Sequence, residues 1–382
     1  MVVPVLLLLA QAAASPPPPP PPSQDVIVVG RRAERDLAAC LARQCPPAEE
    51  IEATLQASVE QFADGRYADA RQTLQRAIER NRQHAAAMPR RVSTLYATLA
   101  TVAEHEGDTG MWRNAARNNM AVLRKHLGAT DPATLTEETH FADDMAGLGA
   151  PMAADGIYAK VQRLASENSL PDLAAAAAFR RAWLALMRDR YREAERFADS
   201  AVTLADASRA MMTELREILR ARIAVRKGDE DAVDALAARL RQSEGAKPML
   251  LFAPSLDDIN PPPDFPVLRD DEIRFADIGY WILPDGRIGD AELLRTSGLG
   301  QWKSVILKEV RARRYVPLRL PSGQPGLYRI DRFTVRGEIG TPTGSRIRQR
   351  MGNLTVHVVD LSETEAMSAA LRKRTTGETP QR

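Results

Sequence analysis

The pattern of apolar positions divides the chain into two parts with different periods. From Glu49 to about Gln242 the sequence is rich in alanine, arginine, glutamate and leucine and poor in proline and glycine, which predicts successive helices. Beyond a proline-rich stretch, apolar residues alternate between Ile278 and Ile282, which predicts a β-strand. We therefore expect an α+β multidomain protein in which an all-helical part precedes a small strand-containing part.

Two short stretches of the helical part repeat one pattern. Gly65–Ala70 reads GRYADA and Asp189–Ala194 reads DRYREA, and each is followed seven residues later by another alanine, Ala77 and Ala201. They resemble the tetratricopeptide repeat, in which a short turn joins two antiparallel helices and small residues let them pack closely. The tryptophan-leucine-glycine signature of that family is missing, so we expect irregular repeats. The resemblance implies a concave face on which a peptide or a partner helix docks.

The second part combines a hairpin, a helix and further strands. Ile282–Gly298 reads ILPDGRIGDAELLRTSG, which predicts a strand, a Pro-Asp-Gly turn and a second strand. An amphipathic helix follows, then Arg314–Pro317 (RYVP) and a last strand near Leu327–Arg336. These motifs, in the order β-β-α-β-β, resemble the TonB C-terminal domain family over Arg274–Gly337. The acidic residue that often follows the leucine opening the family's helix is replaced here by Gly300-Gln301-Trp302.

The resemblance to the TonB C-terminal domain implies a small twisted sheet with a helix on one face, located in the periplasm. Such a sheet recruits a partner by letting an extended segment pair with its edge, where main-chain hydrogen bonds give affinity and alternate side chains give specificity. We assign partner binding to residues of the last strand, namely Arg329, Arg332, Phe333 and Val335.

A second stretch near the start of the chain fits the same mode of binding. QDVIVVGRR, Gln24–Arg32, resembles the TonB box, the short strand that outer-membrane receptors offer to this domain. Its strand-forming residues are Val26, Ile27, Val28 and Val29. Three interpretations stay open: self-pairing within or between chains, display to another TonB-type protein, and a local strand or linker remnant. A run of seven prolines before it predicts a stiff polyproline spacer.

The beginning of the chain predicts export. Residues 1–14, MVVPVLLLLAQAAA, combine a short apolar core with Ala-x-Ala sites, as a secretory signal does, although a positive n-region is missing. This segment is shorter than the roughly 20 residues that span a bilayer, and no other segment is a transmembrane candidate. We expect a periplasmic protein without a stable membrane span, associated with the inner membrane only if the leader is retained.

The cysteine content agrees with export. Cys40 and Cys45 are the two cysteines of the chain, and an even pair in an exported protein predicts a disulfide. Five positions apart on one helix they would point to different faces, so the helix must end near Arg43. Closing so small a loop stabilises the fold by roughly 2 kcal/mol.

Catalytic and metal-binding signatures are not found in the sequence. The five histidines are scattered, and we recognise neither a nucleophile motif nor a phosphate-binding loop. Glu138, His140, Asp143 and Asp144 are ligand types, but we interpret them as a solvated helix face. The sequence therefore predicts a protein that is not an enzyme and that needs no cofactor or metal.

Charge narrows the range of partners. A formal net charge of +2 excludes a globally cationic nucleic-acid binder. Between Arg295 and Arg336, however, the sequence contains ten lysines and arginines and only two acidic residues. We interpret this stretch as a solvated surface, with the steering of acidic proteins, lipid head groups or cell-wall polymers as the alternative.

Together these patterns predict a periplasmic adaptor that binds proteins, TonB-dependent receptors or copies of itself among them, through helical repeats and strand addition. A TonB-type energy transducer for receptor-mediated transport is the alternative, and a cell-envelope enzyme is the third hypothesis. The expected segments are a signal peptide at 1–14, a proline-rich tether at 15–48, helical repeats at 49–244, a linker at 245–272, the TonB-like domain at 273–340 and a tail with an extra strand at 341–382.

Overall fold

The computed structural model is mostly helical with a small antiparallel sheet region, which confirms the expected α+β class. It describes residues 32–147, 149–229, 231–240, 248–254, 256, 273–300, 302–340, 343–346 and 349–362. The predicted signal peptide, the strand at Val26–Val29, most of the proline-rich linker and the end of the tail lie outside the described residues.

The helical part begins before the predicted repeats and consists of antiparallel neighbours along the chain. Its helices are α1 (Arg32–Ala42), α2 (Pro47–Ala63), α3 (Tyr67–Asn81), α4 (Pro89–His105), α5 (Thr109–His126), α6 (Pro132–Gly147), α7 (Pro151–Glu167), α8 (Pro171–Met187), α9 (Tyr191–Leu204), α10 (Arg209–Arg226) and α11 (Ala232–Arg239). Helix α1 falls within the predicted tether 15–48, so the tether interpretation is wrong from Arg32 onward.

One type of turn recurs between these helices. After α2, the amide of Gly65 donates to the carbonyl of Phe62, and the next amide donates to the carbonyl of Gln61. Gly65 has a φ of +79°, the left-handed conformation that ends a helix in a Schellman motif. The same bonds follow α8, where Asp189 takes this conformation, and they recur after α1, α4, α7 and α10. Both sequence repeats therefore mark turns of one geometry.

Small residues fill the contacts between paired helices. The alanines that the two repeats share are fully buried: Ala70, Ala77, Ala194 and Ala201. Because alanine leaves room for the neighbouring backbone, helix pairs approach closely and larger side chains such as Leu74 fill the space between pairs.

The disulfide lies in the first of these turns. Cys40 and Cys45 are bonded, with their Cα atoms 5.1 Å apart. Helix α1 ends at Ala42, and Gln44 takes the left-handed conformation, with a φ of +52°. The helix thus ends where the cysteine spacing requires it to end.

The sheet region contains two antiparallel sheets, of four and two strands. The strands are β1 (Leu250–Phe252), β2 (Arg274–Ile282), β3 (Ile288–Ser297), β4 (Arg314–Tyr315), β5 (Leu327–Gly340) and β6 (Gln349–Asp360), with helix α12 (Trp302–Arg311) between β3 and β4. The larger sheet has the order β3-β2-β5-β6, and β1 pairs with β4. Alternate residues of β2 between Ala276 and Ile282 are buried against Trp302, Ile306 and Val310 of α12, as the alternating pattern predicts.

Strand β1 lies inside the predicted linker 245–272, so the linker interpretation is wrong for these residues. Leu251 is buried in a cluster with Ile218 of α10, Leu236 of α11 and Val316. Arg222 of α10 also donates to the carbonyl of Leu251 at 2.7 Å. This short strand is held because its apolar side chain and its main chain both find partners in the helical part.

The other face of the four-stranded sheet packs on the first helices. Phe275, Ile330 and Val359 contact the core formed by α2 to α5, and Leu361 is buried in the same cluster. The sheet region therefore contacts the helical part at two places, at α2 to α5 and at α10 and α11. The predicted helical and mixed domains share apolar cores.

Candidate protein-binding surfaces

Strand β5, to which the sequence assigns partner binding, is an interior strand. It is paired with β2 on one side and with β6 on the other. Phe333 and Val335 are buried in the core, Arg332 is fully buried, and Arg329 is ion-paired with Asp331. The assignment of strand addition to these residues is wrong, because β6, formed by the tail, already occupies that position.

Arg332 joins the sheet to the helical part. Its guanidinium bonds the carboxylate of Asp277 at 2.7 and 2.9 Å and donates to the carbonyls of Phe62 and Ala63, at 2.6 Å each. These carbonyls belong to the last turn of α2, where no intrahelical donor is available. Burial acts to lower the pKa of Arg332, but the hydrogen bonds and charges of Asp277 and Tyr67 together outweigh it, and the pKa is raised.

Titratable groups gather where β6 meets α4 and α6. Nδ1 of His357 lies 3.0 Å from a carboxylate oxygen of Glu104 on α4. The carboxylate of Asp144 on α6 accepts from Nε1 of Trp112 at 3.1 Å. Burial, with the charge of Glu104, raises the pKa of Asp144 from 3.8 to about 7. Glu104, which pairs with His357 of β6, thus also acts on the protonation of Asp144.

The ligand-type residues of α6 are engaged in separate pairs. Glu138 is only 1% exposed and bonds Arg124 at 2.6 Å and Lys160 at 2.8 Å, so a solvated helix face is the wrong interpretation for it. Asp143 accepts from Arg180 at 2.8 Å. Among the residues that the structure describes, no group of three or more histidines, cysteines or carboxylates could hold a metal ion.

The basic stretch from Arg295 to Arg336 is not one solvated surface. Among the side chains that the structure describes there, five form ion pairs with carboxylates: Arg295, Arg313, Arg314, Arg329 and Arg332. Arg313 and Arg332 are buried, which contradicts the interpretation of these two as solvated charges. Sequence reasoning could not separate the two groups, because buried and partly exposed arginines lie next to each other, as Arg313 and Arg314 do.

The free edges of the larger sheet are those of β3 and β6. Pairing of β3 with β2 shifts register at two places, and such bulges protect an edge from a guest strand. Strand β6 pairs without a shift from Asp360 to Leu354, and within the described ranges no strand lies on its outer side. Val358 of β6 is 43% exposed. The outer edge of β6 is thus the candidate site for strand addition.

The described helices do not include one that is both long enough and apolar enough to cross a bilayer.

No protein-family model matches the chain, and no curated protein matches it. The crystal structure of BtubC (BKLC) from P. vanneervenii is similar to part of the chain, with a TM-score of 0.44 and 13% sequence identity. The match covers 55% of this chain and 86% of that one. Functional statements therefore depend on the geometry of this chain.

Proposed function

We propose that this chain is a non-enzymatic adaptor of the cell envelope that binds an extended segment of a partner along the outer edge of β6. The observation that carries the proposal is the sheet order β3-β2-β5-β6, which leaves β6 paired on one side within the described chain. An unpaired strand edge offers a row of main-chain donors and acceptors to a guest strand.

The support behind β6 favours this role. His357 is paired with Glu104, Val359 packs on the helical core, and Asp360 is ion-paired with Arg329 at 2.8 Å. Because these contacts hold the strand in place before a partner arrives, binding loses less conformational entropy than it would at a mobile edge. Val358 remains exposed for contact with a guest side chain.

The finer architecture belongs to the same proposal. We take the helical part as degenerate tetratricopeptide-like repeats, supported by the recurring turn after α2 and α8. We take the elements β2 to β5 with α12 as a TonB C-terminal-like module, supported by their order along the chain. Export is supported by the leader at 1–14 and by the disulfide between Cys40 and Cys45.

The guest on β6 comes from another molecule. The amide of Arg32 donates to Glu60 of α2 at 3.0 Å, so the chain enters α1 beside α2. The end of α2 at Ala63 contacts Arg295 of β3 and Arg332 of β5. The described chain thus begins beside α2, whose end contacts β3 and β5. We therefore take the guest strand on β6 to come from a partner.

A labelled QDVIVVGRR peptide tests the proposal by fluorescence anisotropy with the full chain. A guest strand uses alternate amides, so a peptide N-methylated at Val26 and Val28 and one methylated at Ile27 and Val29 should differ. We expect one of them to lose binding by about 10-fold or more and the other to keep it. Equal binding of both, or no binding of the unmodified peptide, would contradict strand addition.

Two matched variants locate the edge. Val358 on β6 and Leu294 on β3 are exposed to the same extent, 43% and 42%. We expect Val358→Lys to weaken peptide binding and Leu294→Lys to leave it unchanged, because a charged edge residue disfavours a guest strand. If Leu294→Lys weakened binding and Val358→Lys did not, the peptide would bind along β3 instead.

A further inference from the structure

A cavity of about 570 Å³ lies where the helical part meets the sheet region. On the helical side its walls are formed by α10 and α11. On the sheet side they are formed by β1, the turn between β2 and β3, and the chain from the end of α12 to β4. Val233 and Phe252 supply apolar wall, and Arg287, Arg311 and Arg314 supply charge. A volume of this size lies within the range of small-ligand pockets.

The arginines of the cavity keep unused donors. In the described part of the chain the guanidinium of Arg311 makes one hydrogen bond, to the carbonyl of Ala291 at 3.2 Å. Arg314 uses Nε on Asp234 at 2.8 Å and Nη1 on the carbonyl of Asp285 at 2.8 Å. Its second terminal nitrogen has no partner among the described residues.

Asp234 shows which chemistry these arginines accept. Its carboxylate bridges two guanidiniums, with Arg314 at 2.8 Å and Arg287 at 3.4 Å, while remaining exposed to solvent. A planar carboxylate matches the fork of a guanidinium, and the charge-assisted bonds are stronger than neutral ones. Four arginines line the cavity, and the buried Arg313 is neutralised by Glu309 and Asp331. The other three share Asp234, with Asp285 also 3.6 Å from Arg287, so the cavity still carries excess positive charge.

We propose that this cavity binds the carboxylate of a ligand with an apolar body, either a peptide C terminus or a free apolar acid. The carboxylate bonds Arg311 and the open side of Arg314, and the apolar part packs against Phe252 and Val233. The site is independent of strand addition on β6. Because both parts of the molecule form its walls, a bound ligand stabilises their contact.

Calorimetric titration of the full chain tests this site with defined probes. We expect N-acetyl-Val-Leu with a free C terminus to bind at least about 10-fold more tightly than its C-terminal amide. Octanoate binding as tightly as the dipeptide would assign the site to apolar acids in general, and weaker octanoate binding would assign it to peptide C termini. Equal binding of acid and amide, or binding of inorganic phosphate alone, would overturn the proposal.

Three variants should change the affinity for the dipeptide in three different ways. Arg311→Gln should weaken binding of the dipeptide by about 10-fold, and Arg319→Gln, an exposed arginine of the same region, should leave it unchanged. Asp234→Asn should tighten binding by about 3-fold or more, since it removes the internal carboxylate that competes for Arg314. Weaker binding by Asp234→Asn would show that the residue only holds the junction together and would overturn the assignment. Melting curves of each variant confirm that the fold is retained.

Discussion

Replacing Arg332 by methionine should break the attachment of the sheet to the helical part. The side chain is fully buried, and the substitution keeps its length and apolar stem while removing its charge. The carboxylate of Asp277 would lose two of its hydrogen bonds. The carbonyls of Phe62 and Ala63 would each lose one donor and keep the bonds from Gly65 and Arg295. These acceptors would remain buried, where water does not replace the lost guanidinium donor.

The size of the effect follows from the loss of one partner of a buried charge pair. Removing one member of such a pair costs about 3–5 kcal/mol, and here the buried carboxylate of Asp277 would keep only its exposed partner. The exposed partner of the same carboxylate, Arg295, bonds Asp277 at 2.8 Å and is 47% exposed at its side chain. Since exposed ion pairs contribute about 0–1 kcal/mol, Arg295→Met is the matched control.

Urea unfolding followed by circular dichroism measures both variants against the unmodified chain. We expect Arg332→Met to lower the free energy of unfolding by about 4 kcal/mol and Arg295→Met by less than about 1 kcal/mol. Adding Asp277→Asn to Arg332→Met should recover part of the loss, because the carboxylate that has lost its buried partner is then gone. Equal and small effects of the two arginine substitutions would refute the reasoning.

Three further outcomes are expected. Because the pKa of Asp144 is raised to about 7, the folded state binds this proton more tightly than the unfolded state, and stability falls as pH rises from about 4 to about 7. In thermal melts, Asp144→Asn should flatten this slope and add up to about 4 kcal/mol to the free energy of unfolding at pH 8. Reducing the Cys40–Cys45 disulfide should cost roughly 2 kcal/mol in urea unfolding, and an unchanged midpoint would contradict the loop-closure argument. Gly286→Ala should cost more than about 3 kcal/mol, since its Cβ would lie 2.1 Å from the carbonyl oxygen of Tyr315, whereas Gly228→Ala, with open space at a similar φ, should cost about 1 kcal/mol.

Local signals in the sequence predict local structure well. The repeat at Gly65 and the one at Asp189 both mark helix turns, and the alternation from Ile278 to Ile282 marks the buried face of β2. In these places the conformation is decided by a few neighbouring residues, through left-handed turn positions and the period of burial.

Long-range pairing could not be predicted in the same way. Arg332 looks like an ordinary exposed charge of a strand, because the carbonyl that it bonds at Phe62 is 270 positions away. The pairing of the tail with β5 is likewise a choice among tertiary arrangements, and it decides which edge is free. The three-residue strand at Leu250–Phe252 gives no period to detect, and it is held by α10 and α11.

In stacked helical repeats each repeat contacts only its neighbours, so the stack as a whole can extend and twist. In this protein the early helices α2 to α5 and the late helices α10 and α11 are fastened to the same small sheet region. The helical part cannot extend without breaking one of these two attachments, so the sheet region limits its motion. Separating the two regions by proteolysis would expose Phe275, Ile330 and Val359 together, and we expect the resulting fragments to aggregate.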